Sequence, residues 1–257
     1  RSACWYHGGM IVLFTDFGVD DPYVGQLKAR LYLDAPGVPV VDLLHRVPDH
    51  NAHAGAHLVA AFAAGFPPGS VFVCVVDRGV GTGRAGLVLA AGGRWFVGPD
   101  NGLLSIVAAR ATDAQLWRID WKPDMLSATF HGRDVFAPVA ARIARGDFPH
   151  TWLSAIARAE VEFDAGDLAR AIYIDHFGNV WTGLRAANLP RSTRVRAAGR
   201  EFSHAETFGQ RGKGEGFWFV NSVGLLEIAI NRGHAAREFG LVPGARVEIL
   251  PSAGRLN

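Results

Sequence analysis

One glycine-rich segment carries the clearest chemical signal in the sequence. An apolar run over residues 71–76 predicts a buried strand that ends at Asp77, and Arg84 follows seven positions later, after a glycine-dense turn. Open α/β sheets hold ligands at the carboxyl ends of their strands, and glycine allows a backbone to turn tightly and approach a ligand. A second segment, residues 129–134, places His131 at the start of a predicted helix. Together the segments predict an Asp/Arg/His site without a conventional nucleophile.

Two other interpretations of the glycine-rich segment stay open. Asp77 and Arg84 can form a structural ion pair that braces the loop. The glycines at 79, 81 and 83 superficially suggest a phosphate cradle. Such a cradle opens a helix, whereas residues 87–91 predict a strand, so phosphate binding is the weaker interpretation.

A group of aspartates follows the first predicted strand. Asp16 ends that strand, and Asp20 and Asp21 stand just before Pro22, a residue that suits the first turn of a helix. Carboxylates here can accept hydrogen bonds from a ribose diol or bind a hard cation such as calcium. Because Asp20 and Asp21 also suit the start of a helix, Asp16 is the stronger candidate for a ligand contact.

Four histidines, at positions 45, 50, 53 and 57, raise the alternative of a metal site. His53 and His57 are four residues apart on a predicted helix, but no glutamate completes a metalloprotease pattern. We interpret the four histidines as solvated or capping side chains and predict no metal site.

Two turns in the second half of the chain carry polar and aromatic groups. Residues 175–179 join two predicted strands, and Gly178 with Asn179 suits a plain hairpin. An aromatic ring beside an amide also suits stacking on a purine and bonding to its edge. Residues 221–227 form a second turn with small polar groups, which is a weak signal by itself.

The elements that must position these residues change character along the chain. Strands alternate with helices in the first part, which predicts an α/β domain with a mainly parallel sheet, covered on both faces, over residues 10–164. Pro138 is expected to kink or delay the last of its helices. The predicted strands are residues 10–15, 38–44, 71–76, 87–91, 95–97 and 115–120, and the predicted helices are residues 22–34, 51–65, 101–110 and 132–145.

The second part of the chain, residues 165–257, contains short alternating segments separated by turns. Little of it is typical of helix, and the pattern predicts a small antiparallel domain, built as a barrel or a sandwich. Its predicted strands are residues 171–174, 179–184, 194–197, 216–220, 225–229 and 247–250.

The composition excludes several classes of protein. Of the 257 residues, 49% are hydrophobic and 19% are charged, as in ordinary globular proteins. The net charge of +2 is too small to favour nucleic acid or a membrane surface as a partner, and no apolar run approaches the roughly 18 residues of a membrane helix. The two cysteines, Cys4 and Cys74, make no disulfide framework, so we expect Cys74 to be buried and inert in a cytoplasmic protein.

Six segments, taken in order, resemble the S-adenosyl-L-methionine hydrolase family. Its members are also called SAM hydroxide adenosyltransferases and are relatives of the fluorinase and chlorinase enzymes. Each segment is modest alone, but six in the expected order over residues 10–250 are highly specific. The segments are TDFG with the following DD (15–21), VVDRGVGTGR (75–84), GPDNGLL (98–104), TFHGRD (129–134), DHFGNVWTG (175–183) and NSVGLLEIA (221–229).

The resemblance implies a fold, an assembly and a reaction. It implies an α/β domain, a C-terminal β-barrel and a homotrimer, with each active site where one subunit's N-terminal domain meets a neighbour's C-terminal domain. The implied reaction is hydrolysis of S-adenosyl-L-methionine to adenosine and L-methionine by SN2 attack of water or hydroxide at C5′. The substrate is a small molecule and no cofactor is implied.

The resemblance also implies roles for individual residues. Asp77, Arg84 and His131 match the catalytic set, and Asp16 matches the aspartate that grips the ribose hydroxyls. Halogenases of the superfamily carry tyrosine or another uncharged residue where this chain has Asp77, so water is the expected nucleophile. The remaining matches are Phe130 and Trp181 at aromatic pocket positions, Asp175 for the methionine ammonium, Phe177 and Asn179 for adenine, Ser222 for the methionine carboxylate, Glu227 in the hydrolase form of its motif, and Ile230 for backbone contact with adenine.

Two departures from the family pattern and two alternative functions accompany this interpretation. Arg78 stands where proline is usual, and Val223 stands where some halogenases use arginine. One alternative is a non-catalytic adenosine or S-adenosyl-L-methionine sensor. The other is a calcium-dependent nucleoside hydrolase, because residues 15–21 are similar to that family's aspartate motif, although Phe14 stands where a further aspartate is wanted.

Overall fold

The computed structural model describes residues 9–250, so Cys4 lies outside the described residues. The chain divides into two compact units between Ala165 and Gly166. We call them the N-terminal unit and the C-terminal unit. Over the described residues, no helix has the length and apolar character needed to cross a membrane.

A seven-stranded sheet forms the centre of the N-terminal unit. Its strands are β1 (Ile11–Thr15), β2 (Val40–Leu44), β3 (Val71–Val75), β4 (Gly86–Ala91), β5 (Arg94–Pro99), β6 (Gln115–Ile119) and β7 (Leu153–Ile156). They lie in the order β2-β1-β3-β5-β4-β6-β7. The pairings among β2, β1, β3 and β5 are parallel, and those that add β4, β6 and β7 are antiparallel.

The α/β architecture of this unit is confirmed, and its sheet is mixed. The antiparallel part begins with the hairpin between β4 and β5, where Gly92 and Gly93 have φ angles of 56° and 72°. Two successive positive φ angles are what a tight two-residue hairpin requires. The sequence did not predict β7, because this short edge strand exposes its two central residues and lacks an apolar run.

Helices cover the sheet on both faces, as predicted. Ile11 and Leu13 of β1 belong to a core cluster shared with the first and last helices, whereas Phe14 contacts Phe62 on the second helix. Alternate residues of a strand point to opposite faces, and every residue of β1 is fully buried. The helices are α1 (Tyr23–Asp34), α2 (Ala52–Ala63), α3 (Ser105–Arg110) and α4 (Ala137–Ala144).

The segment before α4 has an unusual helical geometry. Gly132–Phe136 forms a π-helical turn, and the α-helix begins only at Ala137 with Pro138 in its first turn. The Ala137 N–H donates to the Gly132 carbonyl, so the π turn runs directly into the α-helix, and Pro138 has no N–H with which to continue the regular hydrogen bonding. The prediction that Pro138 kinks or delays the helix is correct only for the α-helical part, because the helical segment itself begins at residue 131. Single π turns are frequent at functional sites, and His131 caps this one.

Two antiparallel sheets form the C-terminal unit, as the alternating pattern predicted. Their strands are β8 (Leu168–Ile174), β9 (Val180–Arg185), β10 (Arg194–Ala197), β11 (Arg200–Ser203), β12 (Gly216–Val220), β13 (Leu225–Ile230) and β14 (Val247–Leu250). One sheet has the order β12-β13-β9-β8 and the other β11-β10-β14. The sequence did not predict β11, in which only Phe202 is buried, or the short helix α5 (Ala235–Phe239).

Candidate functional site

The carboxyl ends of β1 and β3 place two aspartates at one edge of the sheet. The strands are parallel neighbours with Thr15 opposite Val75, and the Asp16 backbone N–H donates to the Val75 carbonyl at 3.2 Å. Asp77 follows two residues after Val75. The register of two buried strands therefore fixes both carboxylates at the edge where α/β sheets bind ligands.

Asp77, Arg84 and His131 are in direct contact. Arg84 Nη2 donates to Asp77 Oδ2 at 2.6 Å and lies 3.3 Å from His131 Nδ1. The second carboxylate oxygen of Asp77 accepts from the Gly79 backbone N–H at 2.9 Å. The Asp77 and Arg84 side chains are only 4% and 8% exposed. The structure thus brings together the three residues that the sequence grouped as a site.

The loop between Asp77 and Arg84 returns close to the π-helical segment. Gly81 has a φ angle of 78°, and a Cβ atom there would lie 2.5 Å from the Ala128 carbonyl oxygen. The Thr82 hydroxyl donates to the Gly79 carbonyl at 2.7 Å and closes the turn. Strand β4 follows the loop, so the phosphate cradle, which requires a helix, is excluded.

Burial sets the charge states of the cluster. It lowers the pKa of Arg84, although the Asp77 carboxylate opposes the change; an arginine still keeps its charge in proteins. Burial also lowers the pKa of His131, and the positive charge of Arg84 lowers it further. At neutral pH His131 is therefore uncharged. Since Arg84 can only donate, His131 Nδ1 accepts and Nε2 carries the proton.

A cavity of about 680 Å³, which we call the N-terminal cavity, lies beside the cluster. Four of the predicted site residues line it: Asp16, Asp77, Phe130 and His131. The Phe130 ring packs edge-on against Phe17 and Tyr23, with both ring centroids at 5.6 Å. Phe17 and Tyr23 also line this cavity, and the sequence analysis did not identify them because isolated aromatic residues are typical of any core.

Arg84 lies on the other side of the cluster. It lines a second cavity of about 440 Å³, and His131 lines both cavities. The Arg84 guanidinium also packs over the Phe136 ring at 5.4 Å. Arg84 therefore does not line the N-terminal cavity itself, whereas its two partners, Asp77 and His131, do.

Asp16 is held in another part of the N-terminal cavity lining. Its Oδ2 accepts from the His50 backbone N–H at 3.0 Å, and its side chain is 10% exposed. Burial raises the pKa of Asp16, and hydrogen bonding from the His50 amide opposes the rise. A carboxylate in this position can accept hydrogen bonds from a vicinal diol.

The interpretation of the histidines as solvated or capping is wrong for two of the four. His45 and His57 are only 7% and 2% exposed, because His45 packs against Thr15 of β1 and His57 lies on the buried face of α2. His50 is more than half exposed. Within residues 9–250, no three His, Cys, Asp or Glu side chains are grouped closely enough to hold a metal ion.

The C-terminal unit contains its own cavity, of about 750 Å³, which we call the C-terminal cavity. The turn between β8 and β9 forms part of it. Asp175 Oδ1 accepts from the backbone N–H groups of Phe177 and Asn179 at 3.0 and 2.8 Å, and Oδ2 accepts from Asn179 Nδ2 at 3.2 Å. Seven predicted residues line this cavity: Asp175, Phe177, Asn179, Trp181, Ser222, Glu227 and Ile230.

Glu227 is the most unusual ionisable group of the C-terminal cavity. It lies in β13 opposite Phe219 of β12 and Trp181 of β9, and it is 3% exposed. Burial raises the pKa of Glu227 to about 7, the charge of Asp175 adds to the rise, and the amides of Asn221 and Asn179 oppose it. Glu227 therefore exchanges a proton near neutral pH.

Several further side chains of the C-terminal cavity were missed by the sequence analysis. The Phe208 ring contacts Phe217 and Phe219, with ring centroids at 5.1 and 5.7 Å. Alternation of Phe217 and Phe219 along β12 was a signal for one aromatic face, because strand residues two apart share a face. No sequence signal marked Arg232, a non-glycine residue with a φ angle of 59° that also lines the cavity.

Comparison with known proteins places both units in one family. The sequence model of one protein family, described as SAM hydroxide adenosyltransferase N-terminal domain, matches residues 11–152. The family model described as SAM hydroxide adenosyltransferase C-terminal domain matches residues 169–248. The chain is 36% identical to an (R)-S-adenosyl-L-methionine hydrolase from Thermus thermophilus, over 93% of this chain and 99% of the relative. It is 40% identical to the enzyme of the same name from Salinispora arenicola, over 91% and 95%.

A solved structure has the same fold. The crystal structure of an uncharacterized conserved protein from Thermotoga maritima superposes with a TM-score of 0.85 at 33% sequence identity. The match covers 94% of this chain and 100% of the other. Family and fold therefore agree over both units.

Proposed function

This chain belongs to the SAM hydroxide adenosyltransferase family, and from that premise we propose that it hydrolyses S-adenosyl-L-methionine to adenosine and L-methionine. The observation that carries the proposal is the contact of Asp77, Arg84 and His131 beside a cavity that Asp16 also lines. The relatives named above supply the substrate.

The reaction explains why the site needs no conventional nucleophile. The water oxygen forms a bond to C5′ as the C5′–S bond breaks, and the electron pair of that bond goes to sulfur. Methionine then leaves as a neutral thioether, so its departure needs no general acid. One proton is released for each substrate, and the residues around the attacking water must accept it.

We assign the proton to Asp77. Its carboxylate lines the N-terminal cavity, and a positioned general base contributes about 10²–10⁴-fold to a rate. The neutral His131 donates its Nε2–H to the water oxygen, which orients a lone pair towards C5′. Arg84 fixes both groups through its two contacts and stabilises the carboxylate from behind. Fixed in-line alignment supplies further acceleration, and exclusion of bulk water strengthens each of these interactions.

Substrate binding is divided between the two cavities in this proposal. Asp16 accepts hydrogen bonds from the ribose hydroxyls, with Phe130 beside it. The C-terminal cavity binds the rest of the substrate. Asp175 receives the methionine ammonium and Ser222 the methionine carboxylate. Phe177 stacks on the adenine face, Asn179 bonds to the adenine edge, and Ile230 contacts adenine through its backbone, while Trp181 and Glu227 form the pocket wall. We propose a homotrimer in which each active site combines the N-terminal cavity of one subunit with the C-terminal cavity of a neighbour.

Four further expectations belong to the proposal. The C-terminal sheets form the small barrel that the family resemblance implies. The sulfonium is already a good leaving group, so catalysis requires no cofactor or metal. The protein acts on a free small molecule in the cytoplasm, with no nucleic-acid or membrane partner. The (R) epimer at sulfur is a substrate, because both hydrolase relatives carry that epimer in their names.

Incubation with separated (R) and (S) epimers of S-adenosyl-L-methionine in ¹⁸O-labelled water tests the reaction. Mass spectrometry is expected to detect methionine and adenosine with ¹⁸O at the 5′ hydroxyl, with turnover unchanged by a chelator. Release of free adenine, dependent on calcium, would instead identify a nucleoside hydrolase. Stoichiometric binding of adenosine without release of methionine would identify a sensor. Either of these results overturns the proposed function.

A further inference from the structure

A chain of hydrogen bonds runs from the surface of the N-terminal unit to the end of β1. Lys28 Nζ donates to Asp42 Oδ2 at 2.8 Å, and His45 Nε2 lies 3.2 Å from Asp42 Oδ1. Thr15 Oγ1 lies 2.8 Å from His45 Nδ1. Thr15 is completely buried and His45 is 7% exposed. We call these four residues the His45 network.

The direction of the hydrogen bond between Asp42 and His45 follows from the charge of Asp42. Burial raises the pKa of Asp42, but hydrogen bonds from Lys28 and His45 lower it below its ordinary value, so the ionised carboxylate only accepts. His45 Nε2 therefore donates to it. The Thr15 hydroxyl, 2.8 Å from His45 Nδ1, can donate to this nitrogen, and its oxygen accepts from the Phe17 backbone N–H at 3.2 Å.

The residues on either side of Asp16, which is proposed to bind ribose, are hydrogen-bonded to one another or to His45. Asp16 lies between Thr15 and Phe17, which are bridged by the Thr15 hydroxyl. The Gly18 backbone N–H donates to the His45 carbonyl at 2.7 Å. Thr15, Phe17 and Gly18 are thus all tied to one another or to His45, and both Asp16 and His45 line the N-terminal cavity.

We propose that His45 is a positioning residue, which acts through Thr15 to hold the Asp16 carboxylate in the orientation that binds the ribose diol. The inference rests on the proposed function for the identity of the ligand. A buried side chain needed only for packing would be satisfied by an apolar residue, whereas each ring nitrogen of His45 lies within hydrogen-bond distance of a polar partner, Asp42 or Thr15.

The proposal assigns the His45 network to substrate binding rather than to bond breaking. The ribose diol keeps its contact with Asp16 in the ground state and in the transition state. Loss of such a contact raises KM and leaves kcat unchanged. A residue that acted on the Asp77 cluster would lower kcat instead.

Thr15→Val tests the proposal because it keeps the side-chain shape and removes the hydroxyl. We expect the KM for S-adenosyl-L-methionine and the Kd for adenosine to rise about tenfold, as for loss of one buried hydrogen bond, with kcat within about twofold of wild type. Thr15→Ser restores the hydroxyl and is expected to restore the adenosine Kd. Should Thr15→Val fold poorly, Asp42→Ala, at a side chain that is 43% exposed, removes the anchor of His45 and is expected to weaken adenosine binding about threefold.

Ser70→Ala is the matched control. Ser70 is fully buried and its hydroxyl donates to the Pro67 carbonyl at 2.8 Å. It directly precedes β3, so it lies at the amino-terminal end of the parallel strands, whereas Thr15 lies at their carboxyl end. This variant loses a buried hydroxyl as Thr15→Val does, and it is expected to leave the adenosine Kd unchanged.

A double-mutant cycle identifies the route of the effect. If Thr15 acts through Asp16, adding Thr15→Val to Asp16→Asn produces no further loss of adenosine affinity. Additive losses overturn the proposal, as does a Thr15→Val protein with wild-type adenosine affinity, or a wild-type protein that binds no adenosine. Calorimetric adenosine binding requires no turnover, so a wild-type protein that binds adenosine but hydrolyses nothing overturns only the proposed function.

Discussion

The charged side chains of the two cavities have different kinds of partner. Beside the N-terminal cavity, Asp77 and Arg84 neutralise each other and His131 is held by the same guanidinium. In the C-terminal cavity, Asp175 is held by backbone N–H groups and an amide. Glu227 lies close to Asp175, and among the residues that the structure describes it has no cationic partner.

This difference indicates a division of labour. Asp77, Arg84 and His131 already hold one another through hydrogen bonds before any ligand binds, which is the property expected of groups that act on a transition state. Within the described part of the chain, the carboxylates of the C-terminal cavity lack a charge partner that a cationic substrate would supply. We therefore expect substitutions in the cluster of Asp77, Arg84 and His131 to act mainly on kcat and those in the C-terminal cavity mainly on KM.

Asp77→Ala is the change expected to have the largest effect. It removes the proposed proton acceptor and leaves the buried Arg84 without its carboxylate, so kcat is expected to fall by about 10³-fold or more. Adenosine binding by calorimetry should stay within about threefold, because Asp77 makes no ribose contact in the proposal. Asp20→Ala, at a side chain that is 92% exposed, is the control with wild-type turnover. Turnover by Asp77→Ala at the wild-type rate would remove the catalytic assignment.

Asp175→Asn tests the other side of the comparison. Loss of one charged hydrogen bond to the methionine ammonium is expected to raise KM about 10- to 100-fold, while the Kd for adenosine, which lacks the ammonium, stays the same. Asp167→Asn changes a carboxylate of the same unit that pairs with Arg185, and it should leave both constants unchanged. A fall in kcat at constant KM would contradict the assignment of the C-terminal cavity to recognition.

Much of the fold was predictable because its signals are local. The buried runs of β1 and β3 and the alternating segments of the C-terminal unit are patterns of hydrophobicity, and both gave the correct element type. The antiparallel half of the N-terminal sheet was not predicted. Its strand directions depend on the Gly92–Gly93 hairpin together with the pairing of β5 with β3, which joins residues distant in sequence. The edge strand β7 was missed because pairing with β6, rather than apolar content, stabilises it.

The candidate site was predictable to a similar extent. Asp77, Arg84 and His131 were grouped from two separate segments, and the structure brings them into contact. His45 was misjudged because its burial depends on Thr15, which is 30 positions away in sequence. Phe208 was missed for the same reason, since its ring contacts are with residues of a strand further along the chain.

The pH dependence of stability in Glu227→Gln tests whether Glu227 lacks a charge partner in the C-terminal cavity. Burial raises the pKa of Glu227 to about 7 from its ordinary value of 4.5, so the folded state binds the proton more tightly than the unfolded state. The stabilisation is complete below the ordinary value and is lost as the pH rises through about 7. Relative to the variant, whose side-chain amide carries no charge at any pH, wild type is expected to lose about 5–10 °C in Tm between pH 5 and pH 8.

Thermal unfolding of both proteins over this pH range is the measurement. Glu215→Gln changes an exposed carboxylate of the same unit and should follow the wild-type curve. Parallel curves for wild type and Glu227→Gln would show that Glu227 is ionised at all these pH values, and the contrast between the two cavities would then be weaker.

Arg78→Pro has the smallest expected effect and tests how firmly the Asp77 loop is held. Proline is usual at this position in the family that the sequence resembles, and Arg78 is exposed. Within residues 9–250 its backbone N–H donates no hydrogen bond in the turn, so a proline ring removes no interaction. We expect kcat and KM within about twofold of wild type, and a Tm higher by about 1–3 °C because the unfolded chain loses freedom. Arg78→Ala separates loss of the charge from the effect of the ring. A tenfold fall in kcat in both variants would show that the Arg78 guanidinium belongs to the catalytic side, whereas a fall in Arg78→Pro alone would show that the arginine gives the loop a different turn from that of its proline-bearing relatives.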